Sequence, residues 1–346
     1  MSPYIFLTML LALLLGTSIT FTSTHWLLAW MGLEINTLAI IPLMAQQHHP
    51  RAIEATTKYF IIQTTAAATL LFAAVTNAWL TGQWEISQMN HPFPLTIVTM
   101  ALALKLGLAP THAWLPDVMQ GLNLNTGLIL ATWQKLAPIS LLLQINNNFH
   151  LLVPLALMSI IIGGWGGLNQ TQLRKLLAYS SISHLGWMIL VLQFFPSLTL
   201  LTLLIYITIT FSIFTTFKLN KATNINSLAT SWVKTPATYA MAPLILLSLG
   251  GLPPLTGFMP KWLILQELAK QQLILVAMIA ALSSLLSLYF YLRLSYAMAL
   301  TTTPNTSVNT LLWQLKNKDI KLPIAISIIM AICMLPLTPA ISALLM

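Results

Sequence analysis

Four charged side chains sit where apolar sequence should have none. Glu34 lies midway through "HWLLAWMGLEINTLAIIPLMA", and Lys105 follows the uncharged run "FPLTIVTMALAL". Lys135 is inside "GLILATWQKLAPISLLL", and Lys261 follows "GGLPPLTGFMP". At the centre of a membrane helix each such group costs about 2.5–3.5 kcal/mol on insertion scales, so four represent on the order of 10 kcal/mol. A lysine held out of water beside a movable carboxylate can take up and release a proton near neutral pH. Three lysines and one glutamate leave the interior net positive unless some lysines are neutral, which is the condition for a proton relay. Histidine, with an ordinary pKa near 6.5, can extend such a relay. His112 in "PTHAW" and His184 in "SSISHLGW" are placed to do so, although a hydrogen-bonded structural role suits each of them as well. Two plainer accounts of the charges exist. One is snorkelling, which works for Lys261 if its half-helix starts near one face, but a stem of roughly 6 Å cannot cross a half-thickness of about 15 Å from Lys105 or Lys135. The other is a structural ion pair between Glu34 and Lys105.

The elements that must hold these groups are membrane spans. Only 6% of the 346 residues are charged and 57% are hydrophobic, against about 25% charged in a soluble domain. Apolar stretches long enough to span a bilayer follow one another from end to end. The sequence predicts an all-α polytopic membrane protein of eleven spans: 3–23, 25–45, 58–80, 93–113, 124–144, 149–168, 173–194, 196–217, 240–265, 271–298 and 322–343. The N-terminal run "MSPYIFLTMLLALLLG" has no basic n-region and is read as a retained helix rather than a cleaved signal.

The basic residues test this count. Arg51, Lys58, Arg174, Lys175, Lys218, Lys221, Lys234, Lys316, Lys318 and Lys321 fall in loops on the side of the N-terminus, and the other side has almost nothing basic except Lys270. By the positive-inside rule, the N-terminus then faces the compartment of synthesis and the C-terminus lies across the membrane. The net charge of +9 is thus spent on topology, not on nucleic acid. Trp26, Trp79, Trp84, Trp114 and Trp232 stand near span ends, as an aromatic belt would place them. The single cysteine, Cys333, excludes disulfides, an iron–sulfur cluster and a Cys-rich zinc site within the chain. No GxGxxG or P-loop pattern is present. His25, His48, His49, His91 and His150 are assigned to loops and given no specific role.

"GLAPTHAWLPD" (107–117) lies over "GLPPLTGFMPK" (251–261), with Gly, Leu and two prolines in common. These segments belong to spans 4 and 9, five apart, so the two copies would run in opposite directions. Paired Pro-interrupted segments in inverted halves point to a transport site at the midplane. The expected organisation is one membrane domain over 1–346, with repeats over 3–144 and 149–298 and an appended helix over 322–343. The charges do not superpose: Asp117 lies over Lys261, and Lys105 over Leu249.

The stretches "WMGLEINTLAIIPLM" (30–44), "KLGLAPTHAWLPDVMQG" (105–121), "TWQKLAPI" (132–139), "RKLLAYSSISHLGWM" (174–188) and "LGGLPPLTGFMPKW" (249–262) together resemble the NADH dehydrogenase subunit 2 family. These are the antiporter-like membrane subunits of mitochondrial respiratory complex I, and the resemblance covers the whole chain. It implies a fold with two inverted five-helix repeats and a proton path through a glutamate on an early helix and three membrane lysines. Those fall on Glu34, Lys105, Lys135 and Lys261. It also implies proton translocation coupled to electron transfer from NADH to ubiquinone, with no cofactor in this chain. NADH, FMN, iron–sulfur clusters and ubiquinone are expected in other subunits. The partners it implies are the other membrane-arm core subunits, such as subunits 4 and 4L, accessory subunits and the lipid bilayer. The location implied is the mitochondrial inner membrane, N-terminus on the matrix side and C-terminus on the intermembrane-space side. Two rivals stay open, an independent cation/proton antiporter and a non-pumping structural subunit of the same complex. The polar loop 299–321 has no assigned role.

Overall fold

A computed structural model of the chain describes residues 3–45, 49–145, 149–233, 236–300 and 321–345. Lys234, Lys316, Lys318, His48 and most of the loop 299–321 lie outside the described residues. The described residues form helices and no strands, and they divide into two compact units, 1–159 and 160–346.

The first unit contains α1 (Pro3–Thr22), α2 (Trp26–Met44), α3 (Pro50–Thr81), α4 (Pro92–Leu106), α5 (Trp114–Gly121) and α6 (Leu124–Gln144), and ends within α7 (Phe149–Gly167). Prolines open α3 and α4, where a missing N–H costs nothing, and Gly82 and Gly107 close them in the left-handed region at φ 72° and 78°. α2 packs on α1 and α3, α3 also packs on α4 and α5, and α6 packs on α1, α2 and α4.

The second unit contains the rest of α7, then α8 (Leu173–Leu192), α9 (Pro196–Asn220), α10 (Ile225–Ala229), α11 (Pro236–Gly250), α12 (Phe258–Lys270), α13 (Ile274–Leu300), α14 (Lys321–Cys333) and α15 (Thr338–Leu345). α8 is its most enclosed helix. α9 packs on α8, α11 and α14, and α12 packs on α8, α9 and α13.

Each of the eleven predicted spans contains an apolar helix, but not all are single full-length spans. Among the described residues, seven helices are long and apolar enough to cross a membrane: α1, α2, α3, α6, α8, α9 and α13. The predicted span 322–343 is two helices bent by 69° about Met334, where "LPLTP" forms a short 3-10 turn. Residues 93–113 and 240–265 are each interrupted, the helix stopping at Leu106 and at Gly250. His150 belongs to α7 and not to a loop, while His25 and His49 cap α2 and α3, each accepting a hydrogen bond on Nδ1 from a backbone N–H two residues on. Trp79 is 84% exposed, as a belt residue would be, but Trp26 and Trp114 are buried in the protein, and Trp84 stacks on His25.

With no water in the bilayer core, hydroxyls must find partners within the chain. The serines and threonines do so by donating to carbonyls three or four residues back, as Thr17 does to Leu13 and Thr210 to Tyr206.

The two units repeat one construction. In the first, an antiparallel bridge pairs His25 with Glu85, fixing the start of α2 to the loop after α3 through Trp26 N–H to Trp84 O and Ile86 N–H to Thr24 O. In the second, a bridge pairs Gln172 with Asn224 and fixes the start of α8 to the loop after α9 through Leu173 N–H to Thr223 O and Ile225 N–H to Thr171 O. The tight helix crossings repeat too. A Cβ on Gly16 would lie 2.5 Å from Asn36 Oδ1 and 2.9 Å from Gly32 O. One on Gly163 would lie 2.9 Å from Ser183 Cβ and from Tyr179 O. All three pairs, Gly16 and Gly163, Gly32 and Tyr179, Asn36 and Ser183, are offset by 147 positions.

Candidate functional site: the two broken helices and their buried lysines

Both breaks are built the same way, 144 positions apart. α4 ends in a Schellman turn: Leu108 N–H donates to Ala103 O, and Gly107 N–H to Leu104 O. α11 ends with the same pair of bonds, Leu252 N–H to Leu247 O and Gly251 N–H to Ser248 O. Gly107 and Gly251 adopt φ 78° and 79°, a left-handed backbone that glycine takes without a Cβ penalty. The Ala109–Pro110 and Pro253–Pro254 bonds are both cis. α5 resumes the chain at Trp114, and α12 at Phe258.

A helix that stops inside a protein leaves carbonyls without intrahelical donors. In the first unit neutral side chains supply them. Trp114 Nε1 donates to Leu104 O at 3.2 Å, and Gln63 Nε2 of α3 donates to Lys105 O at 3.4 Å. Trp114 also meets the Tyr59 ring edge-on at 5.8 Å. In the second unit the donor is an ionisable amine: Lys261 Nζ donates to Gly250 O at 2.8 Å.

The first unit gathers three of the predicted groups. Lys105 is in the last turn of α4 and only 6% exposed, and its Nζ is buried with no hydrogen-bond partner among the described residues. Lys135, on α6, is 4% exposed. Glu34 is half-buried on α2, where Thr37 Oγ1 donates to its carboxylate at 3.1 Å. α6 packs against both α2 and α4, and Gln134 Nε2 reaches Asn36 O at 3.4 Å, two residues from Glu34. The structural ion pair considered for Glu34 and Lys105 is absent. The described residues do form ion pairs elsewhere, Lys58 with Glu54, Lys58 with Asp117, and Lys270 with Glu267. His112 is half-buried in the break, its Nδ1 3.2 Å from Pro110 O, on the backbone of its own turn.

The second unit brings Lys261 and His184 together. Both line a cavity of about 30 Å³ bounded by α8, α9, the end of α11 and α12, with Tyr206, Thr202 and Trp187 among its walls. That is room for two or three waters, each of which needs roughly 10–15 Å³. Sequence reasoning singled out neither Tyr206 nor Gln63, and it placed Trp114 in an aromatic belt and not at the break. The 144-residue repeat does point to Trp114, whose position matches Phe258. No group of three metal-ligating side chains occurs among the described residues.

Comparison with known proteins matches residues 23–287 to the family model described as the NADH:quinone oxidoreductase/Mrp antiporter transmembrane region. Residues 288–342 match the NADH dehydrogenase subunit 2 C-terminus. NADH-ubiquinone oxidoreductase chain 2 of Tetraodon nigroviridis is 67% identical over 99% of this chain and 98% of its own length, and that of Oncorhynchus mykiss is 64% identical over 100% and 99%. Among solved structures, a chain of respiratory complex I from Thermus thermophilus superposes with a TM-score of 0.82 at 28% identity, covering 97% of this chain and 80% of that one. A chain of the Mrp complex from Dietzia shares the fold, with a TM-score of 0.79 at 18% identity over 86% of this chain and 61% of that one. The chain therefore belongs to the NADH:quinone oxidoreductase/Mrp antiporter transmembrane family, and it ends in the C-terminal module of NADH dehydrogenase subunit 2.

Proposed function

We propose that this chain is the proton-translocating subunit 2 of NADH:ubiquinone oxidoreductase, working in the mitochondrial inner membrane. Protons move through protonation changes at Glu34, Lys105, Lys135 and Lys261, assisted by His112 and His184. The observation that carries this reading is Lys105 Nζ, a buried amine with no hydrogen-bond partner beside a broken helix. An ammonium left in that state is costly, so the site favours a group that alternates between charged and neutral. Glu34 acts on it from α2, and a change in the Glu34 carboxylate shifts the balance. Lys261, by contrast, keeps a carbonyl partner and adjoins a water-sized space, which suits a group that receives a proton and hands it on.

NADH oxidation and quinone reduction belong to other subunits, and this chain converts a signal from its neighbours into proton movement. The chain is organised as inverted repeats over 3–144 and 149–298, with 322–343 appended. The N-terminus lies on the matrix side and the C-terminus on the intermembrane-space side, and subunits 4 and 4L are among the partners. The test is the native size of the assembly holding this chain in mild detergent, with NADH:quinone activity assayed on the same band. A large NADH-oxidising band supports membership, and a band near 38 kDa without activity overturns it. In the assembled enzyme, Lys135→Met keeps the side-chain volume and removes the amine; it is expected to abolish most proton pumping, and normal pumping would sink the relay. The antiporter members of the family keep one rival alive, an independent cation/proton exchanger. Sodium transport by the purified chain alone would favour it.

A further inference from the structure

Tyr206 stands on α9, 4% exposed, facing the same cavity as Lys261 and His184. Its ring lies 5.6 Å from the His184 ring at a 45° tilt, and its hydroxyl meets Ser181 on α8. The remaining walls are mostly apolar, including Ile205, Ile209, Leu249 and Ile264. Water held there has few polar partners besides the phenol, the imidazole, the Lys261 amine and Thr202.

The first unit has a counterpart. Tyr59 is on α3, 147 positions before Tyr206 and 2% exposed, and the same offset relates Gly16 to Gly163 and Asn36 to Ser183. The buried positions of α3 at Thr56, Tyr59, Gln63, Ala66, Ala67 and Leu70 fall, at this offset, on buried positions of α9. Tyr59 meets Trp114, the first residue of α5. Ser181, which meets Tyr206, is the position matching Glu34. Each unit thus buries a phenol at the same position of its third helix. Apolar packing alone would be served as well by phenylalanine.

We propose that Tyr206 is a further relay residue whose hydroxyl passes protons between Lys261 and His184 through water in this cavity. The inference rests on the lysine relay proposed above. The phenol oxygen accepts a proton from one water as its own proton leaves for the next partner, so the side chain ends each transfer neutral and no co-reactant is needed.

The test uses the assembled enzyme in sealed vesicles. Tyr206→Phe keeps the ring and should assemble normally. Proton-coupled turnover is expected to fall about fivefold, less than the ~10²-fold of an obligatory acid–base group because water can partly bridge the gap. The slowing in D2O is expected to grow, which a purely structural hydroxyl would not cause. Unchanged turnover and isotope effect, with pumping abolished by Lys261→Met in parallel, overturn the role of Tyr206 and leave the lysine relay standing. Normal pumping by Lys261→Met overturns both. If Tyr206→Phe does not assemble, Thr202→Ile decides instead, since it fills the water space and keeps the phenol. Its loss of pumping supports the inference, and its normal pumping overturns it.

Discussion

The Lys261 amine nitrogen lies 2.8 Å from the carbonyl oxygen of Gly250, the last residue of α11. One side chain therefore closes the broken helix and faces the water space. Lys261→Gln retains an N–H donor but no titratable amine, whereas Lys261→Met loses both. Both variants are expected to lose pumping, and Lys261→Met should also destabilise the break by about 1–3 kcal/mol, the cost of an orphaned buried carbonyl. Rates of thermal inactivation of the assembled enzyme should rank wild type, Lys261→Gln, Lys261→Met. Equal rates for the two variants would deny the lysine its capping role.

At the first break the caps are neutral. Gln63→Leu leaves Lys105 O without its side-chain donor and is expected to cost about 1–3 kcal/mol. Trp114→Phe should cost less, about 1 kcal/mol, because Leu104 O keeps its bond from Gly107 N–H. The order is checked by the same inactivation assay. A larger loss for Trp114→Phe would mean that the indole does more than cap.

Three glycines with different surroundings separate backbone conformation from space. At Gly82, φ is 72° and nothing lies within 4 Å of an added Cβ, so Gly82→Ala should cost only about 1–2 kcal/mol and still assemble. At Gly257 an added Cβ would run into Ser248 O, a backbone atom that cannot step aside, so Gly257→Ala should not assemble. Gly251→Ala combines φ 79° with the Lys261 stem at 3.0 Å. It should assemble poorly and pump worse than it assembles, because it displaces the amine. The level of assembled enzyme, with pumping normalised to it, measures all three.

Much of this was legible in the sequence. Apolar runs locate the helices, and a charge within such a run is conspicuous, which is how Glu34, Lys105, Lys135 and Lys261 declare themselves. "GLAP" and "GLPP" announce the two breaks because glycine and proline have backbone signatures of their own. Which face of a helix meets protein cannot be read, because helices apolar on every side show no preferred stripe. Trp26 and Trp114 therefore look like belt residues but are buried in the chain. Tyr206 and Tyr59 were missed for a related reason: tyrosine is unremarkable at span ends and in cores. The 147-residue relation has only scattered identities, such as Gly16 with Gly163, so main-chain geometry was needed to reveal it.

Outside the membrane, the Lys58 amine hydrogen-bonds Glu54 and holds the Glu54 carboxyl below its ordinary pKa. A carboxyl depressed in the folded state adds stability above its unfolded pKa and loses it as pH falls through the lowered folded value. All three partners, Asp117 included, are substantially exposed, so the pair is screened and weak. Lys58→Met is expected to leave the inactivation rate at pH 7 nearly unchanged. It should also flatten the stability difference between pH 7 and pH 4. A marked loss of stability at neutral pH would show that the link from α3 to α5 through Asp117 matters more than its exposure suggests.

The two short bridges, His25 with Glu85 and Gln172 with Asn224, are made by main-chain atoms alone. A joint of that kind is indifferent to which side chains it carries. Either unit can change its residues there while its helices keep their alignment. The first unit holds a carboxylate at Glu34 where the second has Ser181 at an offset of 147, and the lysines stand at unmatched positions, Lys105 in the first and Lys261 in the second. The scaffold behaves as a socket with interchangeable fittings, and moving a charge from one half to the other by design becomes a matter of side chains only.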